Sequence, residues 1–381
     1  ADDLERDHQE TWAIFGTYPT IDWMPDGKEL VFWARGKLWR LNASTLERRE
    51  IPFHVHSTRK RSAVVRQKHV VAQDTFDVKM LRSVRVSPAG DAVVYQALGR
   101  LWVRALPDGV ARQLTTQQRD FEFFPSWSRD GKSIVYVSWN DDGLGVVRLI
   151  DAKGGDEGRP LTQEPGHFAD PVLSPDGARL VYGKRSGGGL VSPTWSNDPG
   201  LYVLDLAGGA PRLLTTVGTN PFFGPESDRV YLRTDEESDA GDKHTLISVD
   251  LATKEVRTHA TSENATEFAL SNDGAWLAFR ERFNVYITPF TPTGRAIAVA
   301  PKMSSQPVAR ASKDSGENLQ WSGDSTTLYW TLGPELFQRK VTDAFSFLSG
   351  APATLPEPPT TGTNIAFQAR QAVPQGLVAY T

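Results

Sequence analysis

Cysteine is absent from the 381 residues, which excludes disulfide staples, thiol catalysis and cysteine-ligated metals. No apolar run approaches the roughly 18 residues that a membrane-spanning helix needs. A basic excess is missing as well: the net charge of −4 argues against a general nucleic-acid binder. No Gly-x-Ser-x-Gly nucleophile elbow occurs, and no spacing joins the seven histidines and the carboxylates into a triad. The chain opens Ala1-Asp2-Asp3 without an apolar signal segment, as a mature exported protein does after cleavage.

What the chain does have is a phrase repeated seven times. Trp23-Met24-Pro25-Asp26-Gly27, Trp127-Ser128-Arg129-Asp130-Gly131 and Leu173-Ser174-Pro175-Asp176-Gly177 are the clearest copies. Looser ones are Val86-Ser87-Pro88-Ala89-Gly90, Phe223-Gly224-Pro225-Glu226-Ser227, Leu270-Ser271-Asn272-Asp273-Gly274 and Trp321-Ser322-Gly323-Asp324-Ser325. Each is a tight-turn signal between two apolar runs and so marks a hairpin. The closing positions 27, 90, 131, 177, 227, 274 and 325 stand 63, 41, 46, 50, 47 and 51 residues apart. A period of about 40–50 residues with several strands per unit is the mark of a β-propeller.

One unit can be followed strand by strand. After the turn at Asp130-Gly131 comes Ser133 to Ser138, then Gly145 to Asp151, a turn at Gly154-Gly155, and a short strand ending Arg159-Pro160-Leu161-Thr162. The order recurs with Leu180-Val181-Tyr182, Gly200 to Asp205, Gly208-Gly209 and Arg212 to Thr215. The third strand repeats as Lys37 to Leu41, Arg100 to Arg104, Leu201 to Leu204, Leu246 to Asp250, Asn284 to Ile287 and Glu335 to Gln338. Its alternating large apolar residues are those of a strand buried on one face. The predicted fold is all-β, a seven-bladed propeller of four-stranded blades spanning 1–349, with blades near 18–51, 81–115, 122–162, 168–215, 219–260, 265–300 and 317–348. A Pro-rich linker over 350–363 and a strand segment over 364–381 follow. The chain stops inside the run Gly376 to Thr381, which predicts further polypeptide in the full gene product.

The candidates for chemistry are few. His54-Val55-His56 puts two imidazoles on one side of a strand, but it lies in the long first interval, in Pro52 to Lys79, among basic residues and without further ligands. Asp235 to Asp242 is acidic but lacks the ordered spacing of a calcium loop, and reads as a solvated hairpin tip. Gly187-Gly188-Gly189 is not followed by the Gly-Lys-Ser/Thr of a phosphate cradle. No catalytic residue and no metal site is assigned to this chain.

The best local candidate is a ring. In a propeller the innermost strands line the central channel. Counting seven residues back from each turn-closing position gives Thr20, Ser83, Phe124, Asp170, Asn220, Glu267 and Asn318, six of them polar. The next positions, Ile21, Val84, Pro125, Pro171, Pro221, Phe268 and Leu319, are apolar. Either the ring faces the channel mouth as a binding site, or these strand starts are polar because they emerge from loops.

The Trp/Leu-Ser-Pro-Asp-Gly turn, the following Leu/Ile-Val-Tyr/Phe strand, the Leu-Trp/Tyr-Val strand and the closing Arg-x-Leu-Thr together resemble the TolB-type propeller repeat, from about residue 18 to about residue 348. TolB itself has a smaller α/β domain before its propeller, for which this chain has no room; that departure argues against a TolB orthologue binding the Pal lipoprotein. Phe15-Gly16-Thr17-Tyr18-Pro19, Gln96 to Leu101, Glu122-Phe123-Phe124-Pro125, Trp321 to Ser325 and Leu332-Gly333-Pro334-Glu335-Leu336 look like the N-terminal propeller of large bacterial amidohydrolase-related proteins. That resemblance implies the non-catalytic half of an exported hydrolase, docking on a C-terminal amidohydrolase-like catalytic polypeptide and gating its substrate. A divalent metal is then expected in that other half, and none in this chain. Two alternatives are a free-standing TolB-like envelope protein that holds a peptide or protein partner at the channel mouth, and the gating propeller of a prolyl oligopeptidase-type serine hydrolase. The sequence leaves the closing of the ring open: residues 12–18 supply a strand to the last blade, or that blade closes unaided.

Overall fold

The computed structural model describes residues 21–34, 37–60, 74–185, 198–236 and 242–370. Residues 1–71 and 72–381 form two separate compact units. The first unit contains one four-stranded antiparallel meander, Ile21–Trp23, Glu29–Ala34, Lys37–Asn42 and Arg48–Ile51. Glu29 pairs with Arg40 and Arg49 across it, Lys37 with Glu50 at 2.7 Å, and Arg48 lies over the Trp39 ring. Only Ala34 is buried among its described residues.

Six further sheets make up most of the second unit. The second sheet comprises Arg82–Val86, Ala92–Ala97, Arg100–Ala105 and Arg112–Gln113, and the third Phe121–Trp127, Ser133–Asn140, Leu144–Asp151 and Arg159–Pro160. The fourth is Phe168–Leu173, Arg179–Lys184, Gly200–Asp205 and Arg212–Thr215. Strands Thr219–Phe223, Arg229–Glu236, Lys243–Asp250 and Val256–Ser262 form the fifth. Ala265–Leu270, Trp276–Glu281, Asn284–Pro289 and Ala309–Ser315 form the sixth, and Glu317–Trp321, Thr327–Leu332, Glu335–Lys340 and Thr363–Asn364 the seventh. Middle strands such as Ala92–Ala97 and Arg229–Glu236 are buried, and apolar clusters fill the space between successive sheets. This is how a radial array removes its sheet faces from water.

Six sheets follow one another among the described residues of the second unit, against the seven blades expected for the whole chain. The innermost strand of the seventh sheet packs directly against that of the second. Gly323 N–H donates to Pro88 O at 2.8 Å, and Tyr329 of the seventh sheet lies in one core cluster with Val86 and Val93 of the second. Gly90 shows how tight the seam is: its φ is +75°, and a Cβ there would lie 2.7 Å from the Tyr329 hydroxyl. The turn-period count cannot distinguish these arrangements, because the first sheet carries the same hairpin phrase as the six that close on one another.

Two boundaries also differ from the expected blades. Ile297–Ala298 leaves the sixth unit of sequence to pair in parallel with the outer strand of the fifth sheet, and the sixth sheet takes its fourth strand from Ala309–Ser315. The seventh sheet takes its outer strand from residues 363–364, beyond the Pro-rich stretch. That stretch does not lead away: Arg339 Nη2 donates to Pro356 O at 2.8 Å, and Gly362 N–H to Glu335 Oε2 at 2.9 Å. Ile365 is fully buried beside Val84, Val86 and Tyr95 of the second sheet. Phe367–Arg370 then pairs antiparallel with Thr75–Val78. The expected strand over Gly376 to Thr381 and the expected contribution of residues 12–18 lie outside the described residues. No helix among the described residues is long and apolar enough to cross a membrane.

Candidate functional site: the channel mouth

The repeated phrase is a staple for the hairpin. In five sheets the serine hydroxyl donates to an aspartate carboxylate at 2.5–2.6 Å: Ser87–Asp91, Ser128–Asp130, Ser174–Asp176, Ser271–Asp273 and Ser322–Asp324. The same oxygen accepts the backbone N–H five residues on, at Ala92, Ser133, Arg179, Trp276 and Thr327. The hydroxyl donor holds Asp130, Asp176 and Asp324 below the ordinary carboxylate value. The tryptophan that opens the phrase stitches neighbours: Trp127 Nε1 donates to Arg85 O and Trp321 Nε1 to Ala269 O, each at 3.0 Å. These residues are structural.

The polar ring lies at the other end of the innermost strands. Ser83, Phe124, Asp170, Asn220, Glu267 and Asn318, one from each of the six sheets, all line one cavity of about 520 Å³. Thr20 lies outside the described residues. A backbone reason accounts for much of the polarity. Ladder register slips at this position in five of the six sheets, and in the sixth one residue earlier, between Ala265 and Glu267. Ser83, Phe124, Asp170, Asn220 and Asn318 have φ between 49° and 58°. A left-handed bulge residue favours Asn and Asp and costs energy in most others. Pro125, Pro171 and Pro221 follow directly, where the interrupted ladder needs no donor. The backbone thus favours small polar residues at these positions, and the six residues line the cavity.

Glu267 is the exception, with no left-handed backbone. Its carboxylate, a fifth exposed, accepts Leu319 N–H at 2.7 Å and has Arg280 at 3.9 Å. Desolvation raises its pKa, with Arg280 pulling the other way. Elsewhere at the mouth Arg185 pairs with Asp170 at 2.9 Å and lies over the Phe124 ring, while Arg280 has Glu317 at 4.0 Å and takes Thr266 Oγ1 at 3.0 Å. Asn318 Nδ2 donates to Thr331 Oγ1 at 2.8 Å.

The turn end of the same cavity is crossed by one side chain. Arg129 Nη2 donates to Gly224 O at 2.7 Å and Nη1 to Asn272 O at 3.5 Å, tying the third sheet to the fifth and sixth. Asn272 Nδ2 continues to Ser322 O at 2.9 Å. Burial pulls the Arg129 pKa below its usual value. The channel, crossed at its turn end by Arg129, is termed the funnel.

Five charged lining residues, Arg85, Arg129, Arg185, Arg280 and Glu317, escape the count that finds the ring. Arg129 alone left a signal, because it fills the slot of the turn phrase where Pro88 and Pro175 stand in other copies. Of the weaker candidates, His54 and His56 are exposed in a segment without regular structure, and no three His, Asp or Glu side chains converge among the described residues. Asp235 hydrogen-bonds His244 at 2.6 Å and Arg233 at 2.9 Å; residues 237–241 of that loop and Gly187 to Gly189 lie outside the described residues.

No family model matches the chain. Among curated proteins it is similar to the Tol-Pal system protein TolB of Francisella tularensis subsp. tularensis, strain WY96-3418, at 30% identity over 124 residues, which is 32% of this chain. The same protein of F. tularensis subsp. holarctica, strain OSU18, is 30% identical over 125 residues. The match spans about a quarter of those relatives, 26% and 27% of their length. Among solved structures, the putative TolB of Agrobacterium tumefaciens gives a TM-score of 0.49 at 16% identity, covering 66% of this chain and 93% of that one. TolB of Acinetobacter baumannii gives 0.46 at 15%, covering 84% of this chain and 76% of that one. With its staple turns, its four-stranded radial sheets and these sequence matches, the chain carries a TolB-like β-propeller.

Proposed function

We propose that this chain is a binding propeller, free of catalytic residues of its own, that receives a peptide segment of a protein partner in the channel mouth. The observation that carries the reading is the convergence of one residue from each of six sheets on a single cavity blocked at its far end. Acidic and basic groups both line it, Asp170 beside Arg185 and Glu267 beside Arg280, and a backbone bulge places Asp170. An envelope location, periplasmic or secreted, goes with this reading. Selection of random linear peptides on the immobilised chain tests it. Peptides should bind the parent protein and lose binding to Glu317→Trp, which fills the mouth, while Lys132→Trp on the turn face leaves binding intact. Binding indifferent to Glu317→Trp would overturn the reading.

A second reading is favoured by the five motifs from Phe15 to Leu336 quoted above: the propeller half of an amidohydrolase-like hydrolase, with the same mouth gating a metal-bearing catalytic polypeptide. Intact-mass measurement of native material, with metal analysis, decides it. A co-migrating metal-bearing polypeptide supports this reading, and a single metal-free species removes it.

A further inference from the structure

The four arginines of the funnel are not equivalent. Arg185 and Arg280 have carboxylates within 4.0 Å. Arg85 and Arg129 have none among the described residues. The single hydrogen bond of Arg85 runs to the neighbouring Val84 O at 3.2 Å, and Arg129 uses two of its five donors on backbone carbonyls. Both border the cavity, and none of their nitrogens is buried without a partner, so the remaining donors face open space. A guanidinium in such a place presents a fork that matches a carboxylate.

The surface around the mouth differs from the opposite face. Inner-strand starts pair with second-strand ends, as in Arg82↔Gln96, Ala265↔Glu281 and Glu317↔Thr331, so those hairpins reach mouth level. Exposed large apolar residues at that level are Met80, Leu98, Phe121, Val217, Phe283 and Leu332. At the turn level only Val110, Val256 and Phe347 are comparable among the described residues of this unit. An apolar rim around a polar pit suits an inserted segment whose apolar residues flank a charged one.

We infer that the occupant of the funnel is an extended partner segment bearing a carboxylate, which Arg85 and Arg129 receive, with apolar side chains on either side resting on the mouth rim. This rests on the binding reading above and specifies its ligand. Arg85 acts on Glu267 only at longer range, so a bound carboxylate supplies a direct counter-charge and displaces no ion pair, whereas a cationic segment would have to compete with Arg185 and Arg280 for Asp170, Glu267 and Glu317.

The test reads the composition of the peptides selected above. Expected are sequences with an Asp or Glu flanked by apolar residues. Exchange of that acid for its amide, or Arg85→Gln in the protein, should weaken binding about tenfold, the scale of one charge-assisted hydrogen bond. Arg85→Gln is the primary variant because Arg129 also ties three sheets; circular dichroism checks that either variant is folded. Peptides that Glu317→Trp blocks but that show no acidic preference would overturn this inference and leave the binding reading standing. An acidic preference that survives both Arg85→Gln and Arg129→Gln would overturn the assignment to these arginines. Peptides indifferent to Glu317→Trp would overturn the binding reading and this inference together.

Discussion

Single side chains set both the hairpins and the character of the pit. Ser174 is fully buried, donates to Asp176 and accepts Arg179 N–H at 2.9 Å. Ser174→Ala leaves the N–H of Arg179 without its acceptor, while Asp176 keeps Ala178 N–H, and should cost about 1–2 kcal/mol, read as a lower midpoint in urea. Glu267 behaves oppositely, because its surroundings disfavour the charge. A carboxyl with a raised folded pKa contributes stability below its unfolded value, near 4.5, and loses it as pH rises through the folded value. Glu267→Gln keeps an acceptor for Leu319 N–H and removes the charge. The variant should therefore be more stable than the parent at pH 7, with the gain shrinking towards pH 4; urea melts at both pH values check it. A gain independent of pH would show that desolvation of the carboxylate is not its source.

At the level of strands and turns, the sequence was legible wherever local chemistry repeats. The turn phrase and the alternation of Arg100 to Arg104 and Leu201 to Leu204 place strands at 100–105 and 200–205, because both signals are local. The six cavity-lining residues fall at one step of the same counting, although the reason for their polarity, a left-handed bulge at Asp170, Asn220 and Asn318, has no signature separable from that of a loop. Long-range pairings left no trace. Nothing in Thr363-Asn364 marks it as the outer strand of the seventh sheet, nor in Phe367 to Arg370 as the partner of Thr75 to Val78, since two- and four-residue strands are too short to show a period. Yet this segment joins the ends of the ring. Ile365 donates to Pro334 O at 2.8 Å, its carbonyl accepts the Tyr95 hydroxyl at 3.3 Å, and Phe367 packs 4.3 Å from the Trp102 ring. Ile365→Ala should cost about 3 kcal/mol, with m-value and secondary structure unchanged, in chemical denaturation. A loss below about 1 kcal/mol would show that the seam holds without it.

Taken as a whole, residues 72–381 bring the inner strand of the seventh sheet against that of the second. A fragment of residues 72–381 should therefore fold alone, with the thermal midpoint of its main transition matching the same transition in the full chain; a fragment that fails to fold would show that the six-sheet closure depends on residues 1–71. The Arg129 bridge has its own consequence at this scale. Gly224 and Asn272 hold it across the turn end, which makes the channel more a vestibule than a corridor. On the binding reading, a segment that enters by the bulges leaves by them. A protein seated over that doorway would detain anything already inside, and nothing could follow it in, so occupancy of the pit and docking on the rim become events whose order matters.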